Sequence, residues 1–218
     1  ISDSDQRLCF SVSLWNGQDP ILKERMFGLT NDQGNHGEDV KELYFYQDST
    51  PSHSYMKMLY KYPQMEFPYK ELIDENAHRK NTDSSAAEYE IIDTGAFNDG
   101  NYFDVEVEYA KRTETDTLIR ISVTNHAQED REIWLLPTLW FRNNWSWGGE
   151  ATKPALIGEN KSTVVVEHPD PDLNGFRLVC PAADEIVLCE NETNAPRIFD
   201  SAAVTRYPKD GINDYIIH

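Results

Sequence analysis

The chain is poor in cysteine, poor in basic residues, and without any long apolar run. Three cysteines, Cys9, Cys180 and Cys189, are an odd number with no C-x-x-C pair. A disulfide framework or a structural zinc site needs more ligands at closer spacing. The bland alternative is that Cys180 and Cys189, each at the end of an apolar run, pack as small hydrophobes. Reduced thiols of this kind predict a cytoplasmic protein. Lys and Arg together number 20 against 38 Asp and Glu, a net charge of −18, with a sequence pI near 4.6. That balance repels polyanions, so neither nucleic acid nor an anionic membrane is an expected partner. No stretch approaches the roughly 20 apolar residues of a membrane span, and no signal-peptide pattern opens the chain. Phosphate-cradling loops, G-x-S-x-G elbows and dinucleotide fingerprints are missing too, and no cofactor is expected.

What the chain has is core-forming material: 39% hydrophobic and 11% aromatic residues over 218 positions. Intrinsic disorder is excluded by that content. The dominant pattern has period two. Phe103, Val105, Val107 and Tyr109 alternate with Asp104, Glu106 and Glu108, which predicts a half-buried strand with an acidic outer face. A polar turn at Lys111 to Asp116 leads to a second alternation, Ile119, Ile121 and Val123, and Ile133 to Phe141 supplies a third strand. Leu8 to Leu14 alternates likewise. Val164 to Val166, Phe176 to Val179 and Ile186 to Leu188 add short strands between Pro, Asp, Asn and Gly turns. The fold class predicted is mainly β, a large antiparallel β-sandwich forming a single domain over 1–218. One excursion, about 48–82, is expected as a helical insert: Pro68 precedes Leu72, Ile73 and Ala77 on one helical face, and Ser54 to Tyr60 is expected as a further helical turn. Asn16-Gly17 reads as a type I′ hairpin. The non-Met start at Ile1 and the apolar end at Ile216 and Ile217 read as a fragment of a longer protein.

With 38 carboxylates, no acid/base pair can be picked from spacing. Asn35, His36, Glu38 and Asp39 match no established metal motif, and a self-bonded polar loop is the simpler account; no metal is expected. Two stretches are richer. Asp48, His53, Tyr55 and Lys57 put a carboxylate, an imidazole, a phenol and an ammonium within ten positions, ahead of Tyr60 and Tyr62. A capped turn explains Asp48 and Ser52 but not the imidazole or the tyrosines. Arg142, Trp145 and Trp147 follow Trp140, placing three of five tryptophans within eight positions. Aromatic rings among Arg and Asn suit saccharides, whose ring faces stack on indole, although Trp140 is better read as core.

Five longer stretches carry a resemblance: Trp15 to Thr30 (WNGQDPILKERMFGLT), Gly34 to Glu42 (GNHGEDVKE), Asp48 to Lys57 (DSTPSHSYMK), Tyr60 to Gln64 (YKYPQ) and Leu136 to Asn143 (LPTLWFRN). Together they resemble the N-terminal region of bacterial glucosidase-like proteins related to glycoside hydrolase family 63, which includes the processing α-glucosidase that trims mannosyl-oligosaccharides. The resemblance implies a supersandwich of the galactose mutarotase-like type, followed in the complete protein by an (α/α) toroid that carries the catalytic acid and base. Such an enzyme hydrolyses an α-glucosidic bond by inversion. No catalytic residue of the family falls on this chain, which is expected to be inactive alone. The resemblance names the toroid of the same polypeptide and an oligosaccharide as partners. Asp48, His53, Tyr55, Lys57, Arg142, Trp145 and Trp147 are the residues expected at the substrate or at the toroid. The alternatives are a stand-alone saccharide-binding module, a mutarotase or epimerase using His53 with a carboxylate, and a pure scaffold.

Overall fold

A computed structural model describes residues 1–29, 39–83, 85–145 and 152–218. The chain divides into two compact units, one made of Leu14–Trp134 and the other of Ile1–Ser13 with Leu135–His218.

The first unit is built on a four-stranded antiparallel meander of β4 (Leu43–Ser49), β5 (Tyr55–Pro63), β6 (Tyr102–Thr113) and β7 (Asp116–Asn125). Register fixes its two faces. Tyr60 is opposite Val105, which is opposite Val123, while Lys61 faces Asp104 and Lys57 faces Glu108. Successive side chains alternate across a sheet, so Tyr60, Tyr62, Phe103, Val105 and Val107 share the buried face. The charged residues fall on the other, as the alternation along β6 predicts.

Two short strands, β2 (Gly28–Leu29) and β3 (Asp39–Val40), pair antiparallel beside this sheet. The helix is α1 (Tyr69–Thr82), which follows Pro68 and has no side-chain N-cap. Packing holds it instead: Leu72 is fully buried in a cluster with Phe67, Ile91 and Ala96. Asn76, one turn on, bonds Tyr89 through both its side-chain oxygen and nitrogen.

The helical insert is therefore shorter than expected. Tyr55–Pro63 is a strand, not a helical turn. The alternation Met56, Met58, Tyr60, Tyr62 against Tyr55, Lys57, Leu59, Lys61 suits a central strand, and pairing on both sides with β4 and β6 outweighs local helical preference. The Asn16-Gly17 turn also differs. Only Gly17 has a positive φ, at 75°, whereas type I′ needs two such residues. Asn16 is instead buried, its Oδ1 accepting the N–H groups of Gln18 and Asp19 at 2.9 Å each, an Asx turn.

The second unit contains an antiparallel sheet in the order β11-β10-β9, from β9 (Ala155–Asn160), β10 (Thr163–Glu167) and β11 (Arg177–Val179). Most of β1 (Leu8–Trp15) and β8 (Trp134–Phe141), which pair with each other, also belongs here. Two short helices, α2 (Ala195–Phe199) and α3 (Gly211–Ile217), come last. Ile186 to Leu188 forms no strand. Its neighbourhood bonds singly instead, Glu190 N–H to Tyr207 O and Lys209 N–H to Glu192 O, and builds no ladder. The whole is mainly β, with several antiparallel sheets and a small helical insert, the class expected for a β-sandwich. Among the described residues no helix is long and apolar enough to cross a membrane.

Candidate functional site

Three of the stretches that carry the resemblance, Trp15 to Thr30, Gly34 to Glu42 and Tyr60 to Gln64, contribute to one buried polar network in the Leu14–Trp134 unit. Asp19 lies in the turn after β1. Its Oδ2 accepts the Tyr62 hydroxyl at 2.5 Å and its Oδ1 accepts Phe67 N–H at 2.7 Å. Asn16 donates to Pro63 O and Met65 O, 2.9 Å each. Lys23 Nζ is 2.6 Å from Glu42 Oε1 and 2.7 Å from the Tyr69 hydroxyl, and stands 3.7 Å over the Phe67 ring. Glu42 also takes Phe27 N–H at 2.9 Å and the Tyr60 hydroxyl. Burial pushes the Asp19 carboxyl up, against the pull of Tyr62 and Phe67. It pulls Lys23 down, against Glu42. The phenols of Tyr60, Tyr62 and Tyr69 are all raised, first by burial and then by the nearby carboxylates. Asp19 and Glu42 are two carboxylates in one region, but both are buried and both are occupied by internal donors. Their chemistry is to hold the segment after β1, β5 and the approach to α1 together.

Lys41 makes a second internal knot. Its side chain is fully buried, with Nζ 2.8 Å from Asp39, 2.9 Å from Glu88 and 2.8 Å from Glu90. Burial alone would lower its pKa, but the three carboxylates raise it well above the usual lysine range. Asp39, Glu88 and Glu90 are grouped closely enough to hold a metal ion. The ammonium of Lys41 supplies the positive charge they need. Of the Asn35–Asp39 loop considered for metal, only Asp39 lies within the described residues.

The residues singled out in the sequence fall into both units. On the meander, Asp48 is exposed and opposite Lys57. Lys57 and Tyr55 share the charged face of β5: Lys57 Nζ meets Glu106 at 2.8 Å, and Tyr55 donates to Glu108 at 2.7 Å. Glu108 also takes Arg120 at 2.6 Å, and these two hydrogen bonds hold its carboxyl below the usual range. His53 is apart from them, exposed in the β4–β5 turn with φ of 52°. Among the described residues no carboxylate bonds its imidazole. The imidazole–carboxylate pair that does form is His126 Nε2 with Asp104 Oδ2 at 2.8 Å, with Lys61 on the other oxygen at 2.6 Å. Nothing in local sequence marks it, since Asp104 stands on β6 and His126 just past the end of β7, 22 positions apart.

Arg142 and Trp145 lie in the second unit. Arg142 donates its main-chain N–H to Arg7 O at 2.9 Å. Trp145 donates its indole N–H to Glu192 at 3.0 Å, and Lys153 Nζ is 5.9 Å from its ring centre. Glu190 and Glu192 both pair with Lys153 and raise its pKa against the effect of burial. Lys153 also borders an open groove of about 510 Å³ whose wall includes Glu167, His168, Pro169 and Asn174. Trp147 lies outside the described residues. Lys153, Glu192 and His168 were not visible as site residues, because no motif joins positions so far apart.

No family model matches this chain. Its sequence is 37% identical over 251 aligned residues to a Saccharomyces cerevisiae protein whose name is Uncharacterized protein YMR196W. That alignment takes in the whole of this chain and 23% of the yeast protein, so the chain spans about a quarter of that relative's length. No solved structure matches.

Proposed function

We propose that the chain is the N-terminal β-sandwich domain, of the supersandwich type, of a family-63-like glycoside hydrolase, an α-glucosidase. Its task is to support the catalytic (α/α) toroid and to edge the sugar cleft. The observation that carries this reading is the fate of the resemblance motifs. Asn16, Asp19, Lys23, Glu42, Tyr60 and Tyr62 are all buried and are spent on one another. Carboxylates that act on a glycosidic bond must reach it, one as acid and one as base toward water. Asp19 and Glu42 cannot, which fits a supporting domain. The match to only a quarter of a much longer relative points the same way. We place the domain in the cytoplasm, on the strength of three free thiols.

The 218-residue chain alone should leave an aryl α-glucoside intact, while the complete polypeptide should hydrolyse it with inversion seen by NMR of the released sugar. Turnover by the isolated chain that falls with Asp104→Asn would sink this reading in favour of a sugar enzyme of its own. A second reading, a saccharide-binding module, draws on Trp145 beside Glu192, Lys153 and the open groove. Calorimetry against maltooligosaccharides should then give a signal that Trp145→Ala removes.

A further inference from the structure

From Asn174 to His218 no residue is buried, although the segment is ordered by specific hydrogen bonds and ion pairs. Arg197 bridges Asp210 and Asp214, Asn194 caps α2 and grips Asp210, and Tyr215 donates to Glu185. Helices of five and seven residues are not stable on their own local bonds. Ordering this much chain costs roughly 1–2 kcal/mol per residue, which exposed hydrogen bonds do not offset. The missing term is apolar burial. The segment carries the groups for it: Ile198, Phe199, Val204, Tyr207 and Tyr215 are between 56% and 70% exposed. Large apolar side chains gathered on one segment and rimmed by ion pairs have the composition of a protein interface.

We infer that the surface of residues 174–218 docks against the polypeptide that, in a protein as long as the yeast relative, lies outside the quarter matched by this chain. This rests on the reading of the chain as one domain of a longer protein. Two observations choose the occupant. About three quarters of the relative lies outside the match, so such a surface is available in the same molecule at high effective concentration. A second copy is disfavoured by charge, since each copy brings −18.

The test is amide hydrogen exchange in two proteins, with sedimentation as a check. In the 218-residue chain, peptides from 174–218 should exchange at least tenfold faster than those of β6. In the full-length yeast protein the aligned peptides should be as protected as its β6 counterpart, and aspartate at the position aligned with Phe199 should release that segment while leaving the strand protected. Fast exchange of the segment in the full-length protein overturns the inference. So does a concentration-dependent dimer of the 218-residue chain that Phe199→Asp abolishes, which would assign the surface to a second copy. Protection in a full-length protein that hydrolyses no α-glucoside would uphold the docking surface and remove the glucosidase reading.

Discussion

Asp19 concentrates the residue-scale physics of this protein. One carboxylate takes the Tyr62 hydroxyl and the Phe67 amide at 2.5 and 2.7 Å, with almost no solvent access. An orphaned buried donor costs about 1–3 kcal/mol, so Asp19→Ala should lower stability by on the order of 3 kcal/mol in urea titrations. Asp19→Asn keeps an acceptor for Phe67, and the Tyr62 hydroxyl can turn to accept, so the loss should be less than half as large. Equal losses would mean that shape and not hydrogen bonding is what Asp19 supplies. Burial also fixes the sign of its pH dependence. Its folded pKa is raised, so the native state holds the proton more tightly, and its contribution falls as pH rises through that value.

At the scale of elements, α1 and β5 show tertiary context overriding local preference in different ways. α1 has no side-chain cap, and its stability comes from Leu72 and Asn76 facing the Ile91 segment. Leu72→Ala should therefore cost about 2–5 kcal/mol, the range for emptying a packed site, with loss of helical circular dichroism. Ile92→Ala, at a 62% exposed position beside the same cluster, should change stability by less than about 0.5 kcal/mol. If both substitutions cost the same, the packing account of the helix fails. β5 is a strand because it has a partner on each side, and Lys57 and Lys61 find Glu106 and Asp104 across it.

At the scale of the whole molecule the acidic balance governs solution behaviour. Asp104 is depressed despite partial burial, by Lys61 and His126. Asp3, Glu108, Asp170 and Glu192 are lowered by their own donors. For each, the unfolded chain binds the proton more tightly. The stability they add is present above the ordinary carboxylate range, about pH 4–4.5, and is lost as pH falls through the folded values. With Asp83 and Asp214, also lowered by their hydrogen bonds, these groups outweigh one raised Asp19, so the melting temperature should drop between pH 5 and pH 3. A melting temperature that climbs over that interval would mean that relief of the −18 charge dominates instead.

Much of this was legible in the chain itself. The period-two pattern of β6 and β7, the polar turn between them and the helix after Pro68 are local, because the alternation of a strand and the stripe of a helix are written in neighbouring residues. Composition by itself argued against a polyanion partner, and three scattered cysteines argued against a disulfide framework. What only the tertiary structure decided are the pairings of distant residues: Lys23 with Glu42, Tyr62 with Asp19, Lys41 with Glu88 and Glu90, Trp145 with Glu192. Each joins positions 19 to 49 apart. A polar side chain is buried or solvated according to whether such a partner arrives, and spacing along the chain carries no record of that. The same holds for Tyr55–Pro63, which becomes a strand only when β4 and β6 flank it, and for residues 174–218, whose lack of any buried side chain is visible only once the rest of the chain is in place.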